Sequence, residues 1–587
     1  MHTPASTITY RPDIDGLRAI AVMIVVLFHA GLGFPGGFVG VDVFFVISGY
    51  LITSLILRDV NAGTFSLADF WERRIRRILP AVTVCVLLTL AAGWLLLLPS
   101  DLLALGESAV AQSLMVSNVY FWRTTNYFGG DIFEKPLLHT WSLSVEEQFY
   151  LFFPVLLILT CRFRLLRQRI PLVVLLGLLF SLSLVLSIWG VKNQPYATFY
   201  LLPTRAWELL TGSLLAASSM AGLTSSWKRE TLAWLGLAGI LAPAFIYDEQ
   251  VPFPGLAALP PCLGAAAIIW ANASQMSLAA SLLSAAPVRF IGLISYSLYL
   301  YHWPVIVFTN YWKTTELSTA TRLAMVLVSL VLATLSWRLI EAPFRRRSKG
   351  KRHLPVFATA VTALLIMLSI GCFLSLSQGY PNRLPPTALE LVKSLEGEYQ
   401  KRALFKCPLN TAPEEIAADR VHLIGSNRPI GTGPQFVVLG DSHAHLAAPL
   451  FERVANEYNV SGAVITHAAT PPLQGWKNRD PHGAKDPSLL FSNSFEYVKR
   501  NNVKNVILMA TWAKYCEESS YAELTKLLKD TISTFGANGT NVHLLMSPPI
   551  YRVNVPRVRL KQAFFDSSLD SFPYQSPQEH KSRQRAI

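Results

Sequence analysis

Two ionisable side chains, Arg18 and His29, interrupt an otherwise apolar run from Leu17 to Leu32. A helix turns 100° per residue, so a spacing of eleven returns to within roughly 20° of the same face, about 16 Å further along the axis. An ionised side chain in a membrane helix is costly and faces a bundle interior or a watery cavity. One face thus carries a cation near one membrane surface and an acid–base group deeper inside. Imidazole titrates near neutrality and passes a proton in either direction. Guanidinium suits phosphates. The plainer alternative makes Arg18 a flanking anchor and His29 a packing group, against the rule that intramembrane ionisable residues are functional.

Further candidates follow along the chain. FWERRIRRILP places Arg74 and Arg77 at the start of the third apolar segment, where plain membrane anchoring is the competing explanation. KPLLHTWSLSVEEQFYLFFP carries Glu146 and Glu147 into another span. Adjacent carboxylates point about 100° apart on a helix, so one of them faces a cavity. Such a carboxylate can orient His29, bind sugar hydroxyls or cap an interface. Asp42 and Ser48 are polar groups in the apolar run GVDVFFVISG. SYSLYLYHWPVIV puts Tyr299, His302 and Trp303 within a span, His302 as a secondary candidate. In WRLIEAPFRRR, Glu341 is spaced to pair with Arg338 at i, i+3. Near the C-terminus, FVVLGDSHAHLAAPLF reads as strand, tight turn and helix, with Ser442 at a helix N-terminus whose free N–H groups can stabilise an oxyanion.

The elements that position these residues are mostly membrane helices. Of 587 residues, 52% are apolar and 15% charged. Apolar segments predict helices near 15–33, 40–58, 79–99, 147–161, 170–189, 204–220, 232–247, 257–272, 288–309, 319–340 and 354–376, about eleven in all. Residues 108–122 are apolar but short and read as a re-entrant or interfacial piece. The N-terminus has no basic n-region or cleavage signal and reads as an uncleaved first helix. With that terminus inside, the basic runs at 73–77, 162–169, 227–230 and 344–353 all fall on the cytoplasmic side. The segment after residue 377 is then periplasmic. The net charge of +14 is spread between apolar segments with no zinc-finger or RNA motif, which excludes nucleic acid as a partner.

Residues 378–434, rich in Pro, Asn and Gly, read as a linker with some helix around 387–403. From Gln435, the runs QFVVL, GAVIT, NVILMA and NVHLLM alternate with helical stretches. That pattern predicts an α/β domain with a parallel sheet over 435–587. Six scattered cysteines make neither a disulfide framework nor a zinc site. Cys407 and Cys516 pair only if the fold brings them together.

The spacing Arg18–His29, followed by GGFVGVDVFFVISGYLI, resembles the membrane acyltransferase-3 family, and the likeness extends over residues 10–345. That family moves acyl groups, commonly acetyl, onto extracytoplasmic carbohydrates. The resemblance implies His29 as base, Arg74 and Arg77 as its Arg-x-x-Arg acyl-CoA motif beside Arg18, and Glu146 as the carboxylate of its Trp-Ser-Leu-x-x-Glu motif with Trp141 and Ser142. Arg73 and Arg76 are then anchors. The outer segment resembles the first block of the SGNH (GDSL) hydrolases, which implies Ser442 as nucleophile. The fusion of the two resembles O-antigen and peptidoglycan O-acetyltransferases. The implied protein is a multi-pass enzyme of a bacterial inner membrane that carries acetyl from acetyl-CoA, with no metal, to an envelope polysaccharide. O-antigen of lipopolysaccharide stands first as acceptor; peptidoglycan or an exopolysaccharide is the alternative. A transporter without covalent chemistry and an esterase on an inert anchor are the competing readings.

The outer segment departs from its pattern. No Asp-x-x-His follows Ser442, and the one at Asp419–His422 precedes it. The Gly-x-Asn block is replaced by the neighbourhood of Thr511 and Trp512. The segment therefore reads either as a domain cut short before its last strand or as one that has lost the usual triad, with His467, His482 and His543 as the other possible bases.

Overall fold

The computed structural model describes residues 10–124, 134–162, 169–218, 222–248, 250–313, 317–345, 353–394, 407–425, 433–477, 483–546 and 563–564. The chain forms two compact units, residues 1–383 and 384–587. In the first unit the main helices are α1 (Pro12–His29), α2 (Gly40–Asn61), α3 (Leu67–Leu96), α4 (Pro99–Ser113), α5 (Ser117–Thr124), α6 (Thr140–Arg162) and α7 (Arg169–Asn193). They continue as α8 (Leu202–Ser218), α9 (Ser226–Ile246), α10 (Leu259–Ala271), α11 (Ala286–Trp312), α12 (Thr319–Ser336) and α13 (Leu354–Leu376).

Each of the eleven expected segments holds a helix, but eight among the described residues are long and apolar enough to cross a membrane. The three that fall short are α1, α8 and α10, so a count of eleven crossings is not established. In α1 the acids Asp13 and Asp15 join Arg18 within the first two turns. Residues 108–122 are not one piece: the chain breaks between α4 and α5 at Leu114–Val116, with Met115 at φ 58°. Two helices begin earlier than their hydropathy suggests. Ser66 caps α3 by accepting from Asp69 N at 3.2 Å, which brings the whole Arg73–Arg77 run onto the helix. Likewise α6 begins at Thr140, so Trp141, Ser142, Glu146 and Glu147 share one helix.

Small residues let the central helices approach. A Cβ on Gly49 of α2 would lie 1.8 Å from Leu209 O of α8, and one on Gly212 would lie 2.0 Å from Val46 O. The two backbones are in direct contact there, so no larger residue fits. The core behind them gathers Leu17, Ile24, Val43, Trp207 and Ile268.

The second unit is a five-stranded sheet in the order β1-β3-β2-β4-β5. Its strands are β1 (His422–Ile424), β2 (Phe436–Gly440), β3 (Gly462–Thr466), β4 (Asn505–Met509) and β5 (Asn541–Leu545). The last four are the expected apolar runs and pair in parallel. The helices around them are α14 (Pro413–Ala417), α15 (Ser442–Glu457), α16 (Pro487–Arg500), α17 (Trp512–Glu518) and α18 (Tyr521–Ala537). The expected linker 378–434 is corrected here: residues from 384 belong to this unit, and β1 is an antiparallel edge strand on β3. Its three residues, HLI, are too short for a periodicity to register. The predicted helix around 387–403 lies partly outside the described residues.

Side chains alternate across the sheet. Val437 and Leu439 enter one core with Cys516, and Val438 enters the other with Cys407. Opposite faces of the sheet keep these two cysteines apart, and both are free thiols. Burial pushes the Cys407 thiol up to about 11.

Candidate functional site

In the first unit, Arg18, Arg74, Arg77 and Glu146 line one cleft, joined by Ser48 and Ser142. The helical period explains which arginines enter it. Arg74 and Arg77 are three apart and share a face. Arg73 and Arg76 face away, Arg73 held by Asp59 at 3.1 Å and Arg76 by Glu72 at 2.8 Å. Arg18 is steadied by Asp15 at 3.3 Å. Three guanidinium groups on one small cleft make an anion site. Glu146 accepts from Ser48 Oγ at 3.0 Å and Tyr150 Oη at 2.9 Å, while its neighbour Glu147 faces a different cavity.

His29 does not line that cleft among its described walls, and Glu146 does not orient it. Its partner is His302 of α11: His29 Nδ1 lies 3.0 Å from His302 Nε2, with the rings stacked at 5.3 Å. His302 Nδ1 lies 2.8 Å from Tyr299 O and 3.2 Å from Leu298 O, two groups that only accept. For neutral rings this network assigns the protons. His302 Nδ1 carries hydrogen, so its Nε2 accepts, and His29 Nδ1 donates to it. The lone pair left for chemistry is on His29 Nε2.

Tyr299 ties this pair to the cleft, whose wall it shares with Ser142; their hydroxyls lie 2.6 Å apart. His139 packs against the same group, 5.9 Å from His302 and 5.6 Å from Tyr299 by ring centroids. His139 was not singled out by sequence, although it stands two residues before Trp141. Trp303 meets His29 edge-on at 4.7 Å. The end of α1 is fixed by Arg322, which donates to Gly31 O at 2.8 Å. Gly31 has φ +66°, a left-handed conformation that favours glycine two residues after His29.

The remaining expectations place as follows. Asp42 is fully buried and pairs with Arg205 at 3.1 Å, which also meets Glu208 at 3.1 Å. Phe45, Trp141, Phe199 and Phe253 enclose that guanidinium. Trp141 is thus part of a packed ionic core. The expected Glu341–Arg338 pair is corrected: Glu341 pairs with Arg345, four residues on, and accepts from Ser297 Oγ at 2.9 Å. One π turn over Trp337–Glu341 shifts the register and replaces i+3 by i+4 neighbours. Asp69, Glu72 and His353 form the one potential metal-ligand group among the described residues, but Arg76 and His353 already occupy Glu72.

In the second unit, Ser442 opens α15 directly after β2. The chain leaves β2 toward β3 on one side and returns to β4 on the other. Ser442 therefore stands at the C-terminal edge of the sheet at its topological switch point, where open α/β sheets bind ligands. Asp441 fixes the turn. It is buried and accepts from His443 N, Thr511 N and Thr511 Oγ1 at 2.8 Å each, and from Tyr515 Oη at 2.9 Å. Thr511 thus clamps the turn from the neighbouring strand.

His467 follows β3 at the same edge, its N–H donating to Gly440 O at 3.0 Å. Its Nδ1 lies 3.1 Å from Ala468 O, an arrangement that leaves Nε2 as the acceptor. His543 is excluded from that edge, since it sits mid-strand opposite Ile507 with Nε2 3.1 Å from Asn505 Oδ1. His482 lies outside the described residues. His445, one turn beyond Ser442, was not signalled by any motif; burial lowers its pKa and favours the neutral ring. Asp419 pairs with Arg500 at 2.9 Å, so the early Asp-x-x-His is structural at its acid.

Two family models match the chain, an acyltransferase domain over residues 11–342 and an SGNH domain fused to such acyltransferases over residues 406–587. The O-acetyltransferase OatA of Staphylococcus aureus is 35% identical over 388 residues, 63% of this chain and 63% of its own length. The putative peptidoglycan O-acetyltransferase YrhL of Bacillus subtilis is 34% identical over 388 residues, 62% of this chain and 60% of its own. The chain thus matches less than two thirds of the length of these relatives. No solved structure matches.

Proposed function

This chain belongs to the acyltransferase family whose domain covers residues 11–342, joined to an SGNH domain in a multi-pass membrane protein, and from that premise we propose that it O-acetylates an extracytoplasmic polysaccharide. The observation that carries the reading is the convergence of Arg18, Arg74, Arg77 and Glu146 on one cleft linked to His29 through Ser142, Tyr299 and His302. The three arginines hold the phosphates of acetyl-CoA, supplied from the cytoplasm if the N-terminus is inside. His29 Nε2 takes the proton of an attacking hydroxyl. The new C–O bond forms as the C–S bond breaks, and the proton passes from imidazolium to the leaving thiolate. Ser442 Oγ then takes the acetyl from that first ester, releasing its hydroxyl, and passes it to a sugar hydroxyl on the periplasmic side of a bacterial inner membrane, the seryl C–O bond breaking and the sugar's proton returning to Ser442. Oxyanion donors at the start of α15 serve that step.

The name of the Bacillus relative supports peptidoglycan as acceptor ahead of the O-antigen that stands first in the sequence reading. Mass spectrometry of envelope glycans with and without the gene tests both: acetyl esters should disappear from peptidoglycan in the deletion strain. Unchanged acetyl content there, with loss from another glycan, would move the acceptor. Unchanged content everywhere would sink the reading.

His302 is a positioning residue in this scheme. His302→Leu should lower transfer about 10–100-fold, because the donor on His29 Nδ1 loses its acceptor. A structural defect would scale the rate alone. A lost tautomer lock should also displace the acid limb of the pH–rate profile, while KM for acetyl-CoA stays within about twofold.

A further inference from the structure

The backbone of Gly292 packs on Asp15 O, where a Cβ would lie 1.9 Å away, and His302 meets His29 at 3.0 Å. Helices α1 and α11 therefore run side by side in one direction. Tyr299 stands one turn before His302 on α11, on the side toward Arg18. Across the cleft, Ser142, Glu146 and Tyr150 repeat every four residues along one stripe of α6, and all three line the cleft. Ser142 is the member that meets Tyr299, at 2.6 Å between hydroxyls. The cleft thus has an order along its length. Guanidinium groups come first, then the Glu146 carboxylate, then two touching hydroxyls, with the His302–His29 pair beyond.

Phosphates held by the arginines would lay the pantetheine arm along this stripe and bring the thioester to the end nearest the base. The polar groups that line the cleft there are Tyr299 and Ser142. Phe44 walls the same place, 6.4 Å from Tyr299 by ring centroids. Attack on a thioester moves the C=O electron pair onto oxygen. A donor placed for that oxygen is worth most where water is excluded. Backbone N–H groups inside a helix are bonded within it, so side-chain hydroxyls must serve.

Each hydroxyl carries one hydrogen. One of the two fills the contact between them. The other goes to His139 O, which lies 3.0 Å from Tyr299 Oη and 3.2 Å from Ser142 Oγ. A developing oxyanion accepts more strongly than a neutral carbonyl, so this second hydrogen is the one that turns to it. Tyr299 is half-buried whereas Ser142 is only 5% exposed, which makes the tyrosine the hydroxyl that faces a ligand. Resting on the acetyl-transfer reading above, we propose that Tyr299 Oη is the oxyanion donor of the membrane step. Ser142 Oγ donates to Tyr299 Oη and strengthens it from behind. As the attacking oxygen bonds to the thioester carbon, the C=O pair moves to oxygen and Tyr299 turns its hydrogen from His139 O to it. As the C–S bond breaks, that pair returns to re-form C=O and sulfur leaves with the C–S electrons. The hydroxyl then turns back, and no proton leaves Tyr299.

Tyr299→Phe removes only the hydroxyl; it keeps the ring and the backbone carbonyl that fixes His302. Release of coenzyme A from acetyl-CoA by the full chain in membranes should fall about 10²–10³-fold in kcat. KM should stay within about twofold. Ser142→Ala should lower kcat in the same direction by less. Infrared spectra add a readout that a structural defect would not move. In His29→Ala protein, which stops transfer, bound acetyl-CoA labelled with heavy carbon at its carbonyl should show a lowered C=O stretch. Adding Tyr299→Phe should return the band toward its position for free acetyl-CoA. A Tyr299→Phe enzyme with kcat within about twofold of wild type overturns the assignment. So does a loss confined to KM, or a carbonyl band that the second substitution leaves in place. Should Tyr299→Phe fail to accumulate, Ser142→Ala carries the test, and an unchanged kcat there overturns the pair. An active wild type with unaffected variants sinks this assignment alone. A wild type that leaves acetyl-CoA intact sinks the transfer reading with it.

Discussion

His29→Ala should abolish glycan acetylation while the protein still inserts and accumulates. A positioned general base contributes about 10²–10⁴-fold, and alanine removes both the Nε2 lone pair and the ring stacked on His302. The expected loss therefore sits near the top of that range. The loss should fall on kcat rather than on the KM for acetyl-CoA, because the described cleft that gathers the arginines does not include His29. Arg18→Ala should show the opposite division, with KM raised and the base intact. Acetyl content of the glycan and turnover of acetyl-CoA in membranes measure the two together. Undiminished acetylation in His29→Ala would remove imidazole from the mechanism and leave the cleft as a binding or transport site.

Ser442→Ala should uncouple the two units. Glycan acetylation should fall by about 10³-fold or more, as when the nucleophile of a serine enzyme is removed, while binding of acetyl-CoA to the first unit persists. The turn itself should survive, because Asp441 and Thr511 hold it without help from the Ser442 hydroxyl. The base is then found by substitution. His467→Ala should reproduce most of the Ser442→Ala loss if the acceptor nitrogen at the end of β3 serves the serine; His543→Ala should not, given its position mid-strand on β5. An active Ser442→Ala enzyme would make the outer unit a binding module and place the whole transfer in the membrane unit.

Much of the scheme was legible in the residues alone because its signals are local. Apolar runs long enough to span and the strand–turn–helix around Ser442 each depend on neighbours within about a dozen positions. The same holds for Arg74 and Arg77, whose spacing of three puts them on one face whatever the rest of the chain does. For the outer sheet, four apolar runs were enough to anticipate four parallel strands.

What tertiary structure decided are the relations between distant elements. His29 and His302 are 273 residues apart, and no periodicity links them; only the packing of α1 on α11 makes one ring fix the tautomer of the other. The choice between Glu146 and Glu147 was likewise open on helical geometry, which states that the two diverge but not which way either points. The surroundings of α6 set that direction, with Ser48 and Tyr150 drawing Glu146 into the cleft. One π turn redirected Glu341 to Arg345, a shift of register that composition does not encode. The opposite faces of the sheet separated Cys407 from Cys516. In each case sequence determined which chemical groups exist and which side of their own element they occupy. Long-range packing determined what they meet there, because partners on different elements are chosen by the fold and not by spacing along the chain.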